Sequence, residues 1–312
     1  MRARIVTVFL GLAALALFVS GGEAQPGSVK QIAPGVWFRE GDLKNLGHCN
    51  NIILEMKDYL IMVDANFPSG ARLALAEAKK VSSKPVKYVF DTHHHGDHAY
   101  GNPVWTQIGA TTLAHKGVVE EMKRYEPKRW QDTAKTRPDV AELQLATAEP
   151  PAQTFDQSPF VLDDGTRRVE FHFFGWAHTR GDGFVFLPKE RIVSTGDAVV
   201  NGPYNFVGDG NIGNWPRVVR SVAKLKPARV LPAHGGPGGP EILTGQERFF
   251  LELMKAVRAG IREGKQPEEL AKTLQLPASV KNWVGDFFPD QVKGAYQEIQ
   301  QGKPIGEING GK

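Results

Sequence analysis

The chain has 312 residues, 41% of them hydrophobic and 23% charged, with a formal net charge of +4 and a sequence pI near 9.0. That is enough apolar material for a full core in one large domain or two small ones, and it excludes a disordered or low-complexity chain. No Lys/Arg cluster interleaved with aromatics stands out, so nucleic acid is not an expected partner.

Arg2 and Arg4 precede an apolar run from Ile5 to Val19, followed by Gly21-Gly22-Glu23-Ala24-Gln25-Pro26. This pattern predicts a signal peptide over residues 1–24, cleaved after Ala24, and places the mature protein in the periplasm or outside the cell. A run of roughly 15 apolar residues is short for a membrane helix, which needs about 20, so no stable membrane insertion is expected after cleavage. Cys49 is the only cysteine, so no disulfide forms within the chain, and its place beside an apolar run marks a small buried residue.

From Ile32 to Phe67 the chain reads as strands: Gly35 to Arg39, Asn51 to Met56, and Tyr59 to Asp64 after a turn at Lys57-Asp58. Alanine-rich composition predicts a helix from Ala71 to Lys80. Pro85–Phe90 and Gly109–Ala114 read as further strands, and a helix is expected from Lys116 to Tyr125. Residues 126–155 are polar and interrupted by Pro127, Pro138, Pro150 and Pro151, which predicts an inserted helical or loop segment able to act as a lid. Strands resume at Pro159–Leu162 and Arg168–Phe174, and a hairpin is expected around Pro188-Lys189-Glu190. The Gly- and Asn-rich stretch 199–214 reads as a long loop. A helix from Trp215 to Leu225 and a strand at Arg229–Pro232 follow. Helices are then predicted over Gln246–Glu263, Pro267–Thr273 and Val280–Gln301.

The densest chemistry lies in Asp91-Thr92-His93-His94-His95-Gly96-Asp97-His98, just after a predicted strand. In open α/β sheets, ligand sites gather beyond the carboxyl ends of strands. A loop leaving such a strand turns His93 and His95 toward one ion while Asp97 and His98 reach a neighbouring one. Three further candidates each follow a predicted strand: His178, Asp197 and His234. Imidazole and carboxylate donors of this kind suit zinc, with iron or manganese also accommodated. His48, His115 and His172 lack such company and read as structural histidines. His94 is expected to point away from the ions.

The order HxHxDH, then His178, Asp197 and His234, resembles the metallo-β-lactamase-fold superfamily over roughly residues 30–240. The resemblance implies an α/β fold, a four-layer αββα sandwich, with residues 241–312 as a C-terminal helical extension packed on the same domain. It further implies His93, His95 and His178 on a first metal ion, Asp97, His98 and His234 on a second, and Asp197 bridging both. Gly181 and Asp182 match the usual continuation after the third histidine, whereas Arg180 stands where proline is common.

Paired zinc ions share a water whose pKa falls toward neutrality. The expected reaction is therefore attack by a bridging hydroxide on an ester, thioester, lactone or amide of a small-molecule substrate, with Asp97 orienting that hydroxide or taking its proton. The bridging aspartate departs from the β-lactamase pattern, so a β-lactam-hydrolysing enzyme is the alternative. A periplasmic accessory protein that binds metal or ligand without turnover is the non-enzymatic alternative. Tyr204 and Phe206 are candidates to line the substrate cleft, and the terminal helices are expected to cap it or to offer a surface for homo-oligomerisation.

Overall fold

The computed structural model describes residues 26–302, so the expected signal over 1–24 lies outside the described residues. The first half is built from β1 (Val29–Ala33), β2 (Val36–Arg39), α1 (Leu43–Leu46), β3 (Asn51–Glu55), β4 (Leu60–Val63), α2 (Pro68–Val81), β5 (Val86–Phe90), α3 (Gly96–Ala99), α4 (Asn102–Thr106), β6 (Thr111–His115) and α5 (Lys116–Tyr125). The insert carries α6 (Lys128–Ala134), α7 (Pro138–Ala141) and β7 (Gln153–Phe155). The second half holds β8 (Phe160–Asp163), β9 (Arg168–Phe173), β10 (Gly183–Leu187), β11 (Ile192–Ser194), α8 (Trp215–Ala223) and β12 (Arg229–Leu231). Three helices close the chain: α9 (Glu241–Arg262), α10 (Pro267–Thr273) and α11 (Phe288–Gln301).

Strands β1 to β7 form a seven-stranded sheet in chain order, and β8 to β12 form a five-stranded sheet, also in order. Alternation along each strand sends side chains to opposite faces. In β3 and β4, Ile52, Leu54, Ile61 and Val63 face the other sheet and meet Val169, Phe171, Val185 and Leu187. Their neighbours Ile53 and Met62 face outward and are covered by Ala71, Ala74 and Ala78 of α2 and Trp105 of α4. On the second sheet Phe184, Phe186, Val193 and Val230 turn outward against Trp215, Val218, Val219 and Val222 of α8 and Phe249, Phe250 and Leu253 of α9. Both faces of the central strands are thus buried, which is why they read as unbroken apolar runs. The result is the expected αββα sandwich. No helix among the described residues is long and apolar enough to cross a membrane.

Three local readings are corrected. The insert is not all helix and loop: Gln153–Phe155 pairs in parallel with β6, Leu113 opposite Gln153. Pro150 and Pro151 lie just before this edge strand, where a missing N–H costs no ladder hydrogen bond. The helix predicted over Val280–Gln301 is two pieces, a 3₁₀ turn at Ala278–Trp283 and α11, whose start carries Pro289. Proline in a helix interior removes one hydrogen bond and clashes with the preceding turn, so the helix begins there. Helix α9 starts at Glu241, a turn before the predicted Gln246. Gly245 lies within it because Trp283 packs there; a Cβ would fall 1.9 Å from the indole.

His115 ends β6 and caps α5, its Nδ1 accepting from the Gly117 N–H at 3.2 Å while its ring stacks on Phe173 with centroids 3.8 Å apart. Burial pushes its pKa down from 6.5 to about 4. The unfolded chain therefore binds a proton that the folded chain refuses, and stability present in full above pH 6.5 is lost as pH falls toward 4. His115→Asn keeps a capping acceptor but does not titrate. Its denaturant midpoint relative to the parent should rise as pH is lowered through that window; a pH-independent difference would contradict this.

Candidate metal centre and substrate cleft

The four donors of the first cluster leave the end of β5. The Asp91 N–H is held by the Leu113 carbonyl of β6 (2.9 Å) and the Thr92 carbonyl by the Gly183 N–H of β10 (2.7 Å), so this loop bridges the two sheets. His93 and His95 precede α3, and Asp97 and His98 lie within it. His178 sits in the loop between β9 and β10, Asp197 after β11 and His234 after β12. The last two loops are stitched together, with Asn201 N–H donating to the His234 carbonyl and Ala233 N–H to the Gly196 carbonyl, while Asn50 N–H before β3 donates to the Ala233 carbonyl. Gly235, at φ +85°, permits this crossing, because a Cβ there would lie 2.0 Å from the Asn201 oxygen.

All seven predicted donors meet at this edge. His95 Nδ1 lies 3.1 Å from His93 Nε2 and 3.0 Å from His178 Nε2. Each of the three rings is held from behind. His93 Nδ1 faces the Thr92 hydroxyl (3.1 Å), which itself donates to Asp64 Oδ1 (2.8 Å). His95 Nε2 faces Asp209 Oδ2 at 2.8 Å, and His178 Nδ1 donates to the Phe206 carbonyl at 3.0 Å. Each ring's proton is therefore on the far nitrogen, and three lone pairs converge where no hydrogen bond among them is possible. Tetrahedral ligands at 2.0–2.1 Å from one zinc ion are about 3.3 Å apart, close to the spacing found. These residues fit a divalent metal ion.

The second group consists of Asp97, His98 and His234. Asp97 Oδ2 lies 3.2 Å from His98 Nε2 and 3.1 Å from His234 Nε2. Asp197 stands between the groups, with Oδ1 3.5 Å from His98 Nε2 and Oδ2 3.3 Å from His234 and 3.7 Å from His178. The electrostatics divide the same way. Burial holds the His93 imidazole well down, and takes His95 to about 4 and His178 to about 3, so all three are neutral donors. Burial also opposes charge on His98 and His234, yet Asp97 and Asp197 outweigh it, raising His98 and taking His234 to about 9. In return these two rings hold both carboxylates low against burial.

His94 turns away from this cluster, stacking on Tyr125 (5.4 Å) with Nε2 3.5 Å from Asp209. His48 meets the Ser69 hydroxyl, and His172 pairs with Glu170, both apart from the seven donors. Cys49 is buried, and burial pushes its thiol up, leaving it unreactive. Phe206 packs edge-on to His95 at 5.5 Å, and the Tyr204 ring lies 6.1 Å from that of His234. Both line a cleft of about 470 Å³ that His95, Asp97, Asp197 and His234 also border.

Sequence reasoning missed the supporting carboxylates of Asp64 and Asp209 and gave Asp182 only as a match to the motif. Asp64, after β4 at φ +65°, lies 3.1 Å from His98 Nδ1 and accepts from the Thr92 N–H and hydroxyl. Asp209 holds His95 and receives both Nη atoms of Arg129 at 2.6 and 2.9 Å. Asp182 collects the N–H groups of Ala177, His178 and Thr179, fixing the loop that carries His178; burial pushes it up to about 7. The signal for Asp182 was its place in the motif, whereas nothing local marked Asp209.

The sequence from 45 to 234 matches the profile of the metallo-beta-lactamase superfamily. The chain belongs to that superfamily. Solved structures agree on the fold. A metallo-beta-lactamase from Pontibacter korlensis is 20% identical at a TM-score of 0.60, with 72% of this chain and 98% of that chain covered. One from Hirschia baltica is 20% identical at 0.57, over 72% and 98%. The DIM-1 metallo-beta-lactamase is 18% identical at 0.59, over 73% and 98%. Members of the superfamily are generally metal-dependent hydrolases, and this chain is a hydrolase of that superfamily with His/Asp clusters able to bind metal.

Asp209→Ala removes the acceptor behind His95 without touching a cleft-facing donor. Loss of such a partner weakens metal binding by about 10–100-fold. Chelator competition on the folded variant should show that loss, and unchanged affinity would rule out Asp209 as the group that orients His95.

Proposed function

We propose that the chain is an exported hydrolase that holds two zinc ions and cleaves an ester, thioester, lactone or amide bond in a small molecule. The observation that carries this reading is the convergence of three lone-pair nitrogens beside a second oxygen and nitrogen set, with Asp197 placed between them. His93, His95 and His178 would hold one ion, Asp97, His98 and His234 the other, and Asp197 would join both. The same donors accept iron or manganese. Divalent ions bound there supply Lewis acidity and lower the pKa of water toward neutrality.

The protein's own groups do the rest. Asp97 lines the cleft and is the group to orient the attacking water and take its proton. Tyr204 and Phe206 border the same space and would position the substrate's carbonyl and its flanking groups. Burial of the surrounding rings excludes bulk water and strengthens each of these interactions. Export rests on the N-terminal Arg2, Arg4 and apolar run, and a mature N-terminus at Gln25 in material from the native host would support it.

The test is to load the chain with zinc, count metal per chain, and assay chromogenic esters, thioesters, lactones and β-lactams. About two ions per chain are expected, with turnover that Asp97→Ala lowers by at least about 100-fold. Less than about one ion per chain, with no activity dependent on Asp97, would refute the two-metal reading. Turnover confined to β-lactams would select the β-lactamase alternative.

A further inference from the structure

Eight large apolar side chains are exposed among the described residues, and three of them, Leu43, Phe206 and Phe287, gather on the cleft bordered by His95, Asp97, Asp197 and His234. They come from segments far apart in sequence: α1, the loop 199–214, and the link between the 3₁₀ turn and α11. Phe206 and Phe287 pack edge to face with centroids 6.1 Å apart, making one continuous wall. Phe67 and Tyr100, themselves edge to face at 5.9 Å, also line the cleft. Leaving aromatic faces in water forgoes burial free energy, and their convergence on a concave site marks a surface meant to be covered.

The charges around the cleft point the same way. Apart from histidines, Arg129 is the only cationic side chain among the described residues that line it. Both its Nη atoms are taken by Asp209, and its guanidinium lies 3.8 Å over the Tyr125 ring. The end-on fork of its guanidinium is therefore spent on Asp209. The acids are engaged too. Glu126 accepts from the Tyr100 hydroxyl (2.7 Å) and the Trp130 N–H (2.6 Å), while Asp132 pairs with Lys128 and Lys135. Those two lysines do not themselves line the cleft. A charged substituent held against these aromatic walls would lose hydration that they cannot replace.

Building on the hydrolase reading above, we infer that the substrate is an alkyl or aryl ester, thioester or lactone whose non-reacting arm is uncharged and apolar, with Phe206 and Phe287 as the walls that select it. Anionic substrates whose charge lies on that arm are disfavoured.

The test separates binding from turnover. Two non-hydrolysable ligands of equal length, methyl octyl ketone and the same ketone ending in a sulfonate, which is a poor zinc ligand, are titrated calorimetrically into the zinc-loaded full chain. The neutral ketone should bind at least about tenfold tighter, and Phe287→Ser should remove about tenfold of its affinity while leaving the sulfonate's unchanged. Phe287 is 41% exposed, so its replacement should leave the melting temperature near that of the parent. Equal or tighter binding of the sulfonate would overturn the inference, as would neutral-ketone affinity unchanged in both Phe287→Ser and Phe206→Ser. Hydrolysis of nitrophenyl octanoate is followed in parallel. Phe287-dependent binding of the neutral ketone without any turnover would uphold the apolar cleft and refute the hydrolase reading alone.

Discussion

Each imidazole that offers a lone pair to the first donor group does so because its other nitrogen is held by a fixed partner. Thr92 stands behind His93, Asp209 behind His95 and the Phe206 carbonyl behind His178. Without those partners the rings would choose either tautomer, and a buried nitrogen could present a proton where a cation must sit. The rest of the edge follows from this requirement. Asp64, just after β4, is the one carboxylate that both fixes Thr92 and faces His98. The loop 199–214 must close over His178 so that its backbone can accept the proton, and it then also delivers Asp209.

Concentrating buried imidazoles and carboxylates in one place opposes folding, because desolvation of each charged form is costly. Two sheets with both faces covered meet that cost. Inter-sheet packing of Phe90, Phe171 and Val185 and the outer layers of helices bury enough apolar surface to fix the strand ends rigidly. Hydrogen bonds between strand-end loops, such as Gly183 to Thr92 and Asn50 to Ala233, then set the donors within a few ångströms of one another. The scaffold thus fixes where the donors meet.

The insert and the loop 199–214 have the opposite character. Neither supplies one of the seven donors, yet together they shape what reaches them. Arg129 from α6 and Asp209 from the loop join across the cleft wall, which ties the insert to His95 and at the same time neutralises the one strong cation nearby. A polar stretch thus ends up making a cleft whose accessible walls are aromatic.

From the sequence alone the strands and the seven converging residues were legible, because both depend on local signals: apolar runs with strand spacing, and HxHxDH followed by three residues that each trail a strand; the sandwich itself was implied by the family that this order resembles. Turn and proline signals placed most elements within a few residues, and missed β7 and the break before α11, where pairing and packing with distant segments decide. Asp64 and Asp209 were invisible for a related reason. An aspartate's role behind a histidine depends on a contact made across 114 positions of chain, as between His95 and Asp209, and no local pattern encodes it. The substrate side was likewise settled only in three dimensions. Leu43, Phe206 and Phe287 are ordinary apolar residues in the sequence; only the tertiary structure leaves them exposed together over one site, with Arg129 already committed, because exposure and charge pairing are properties of what surrounds a residue rather than of the residue itself.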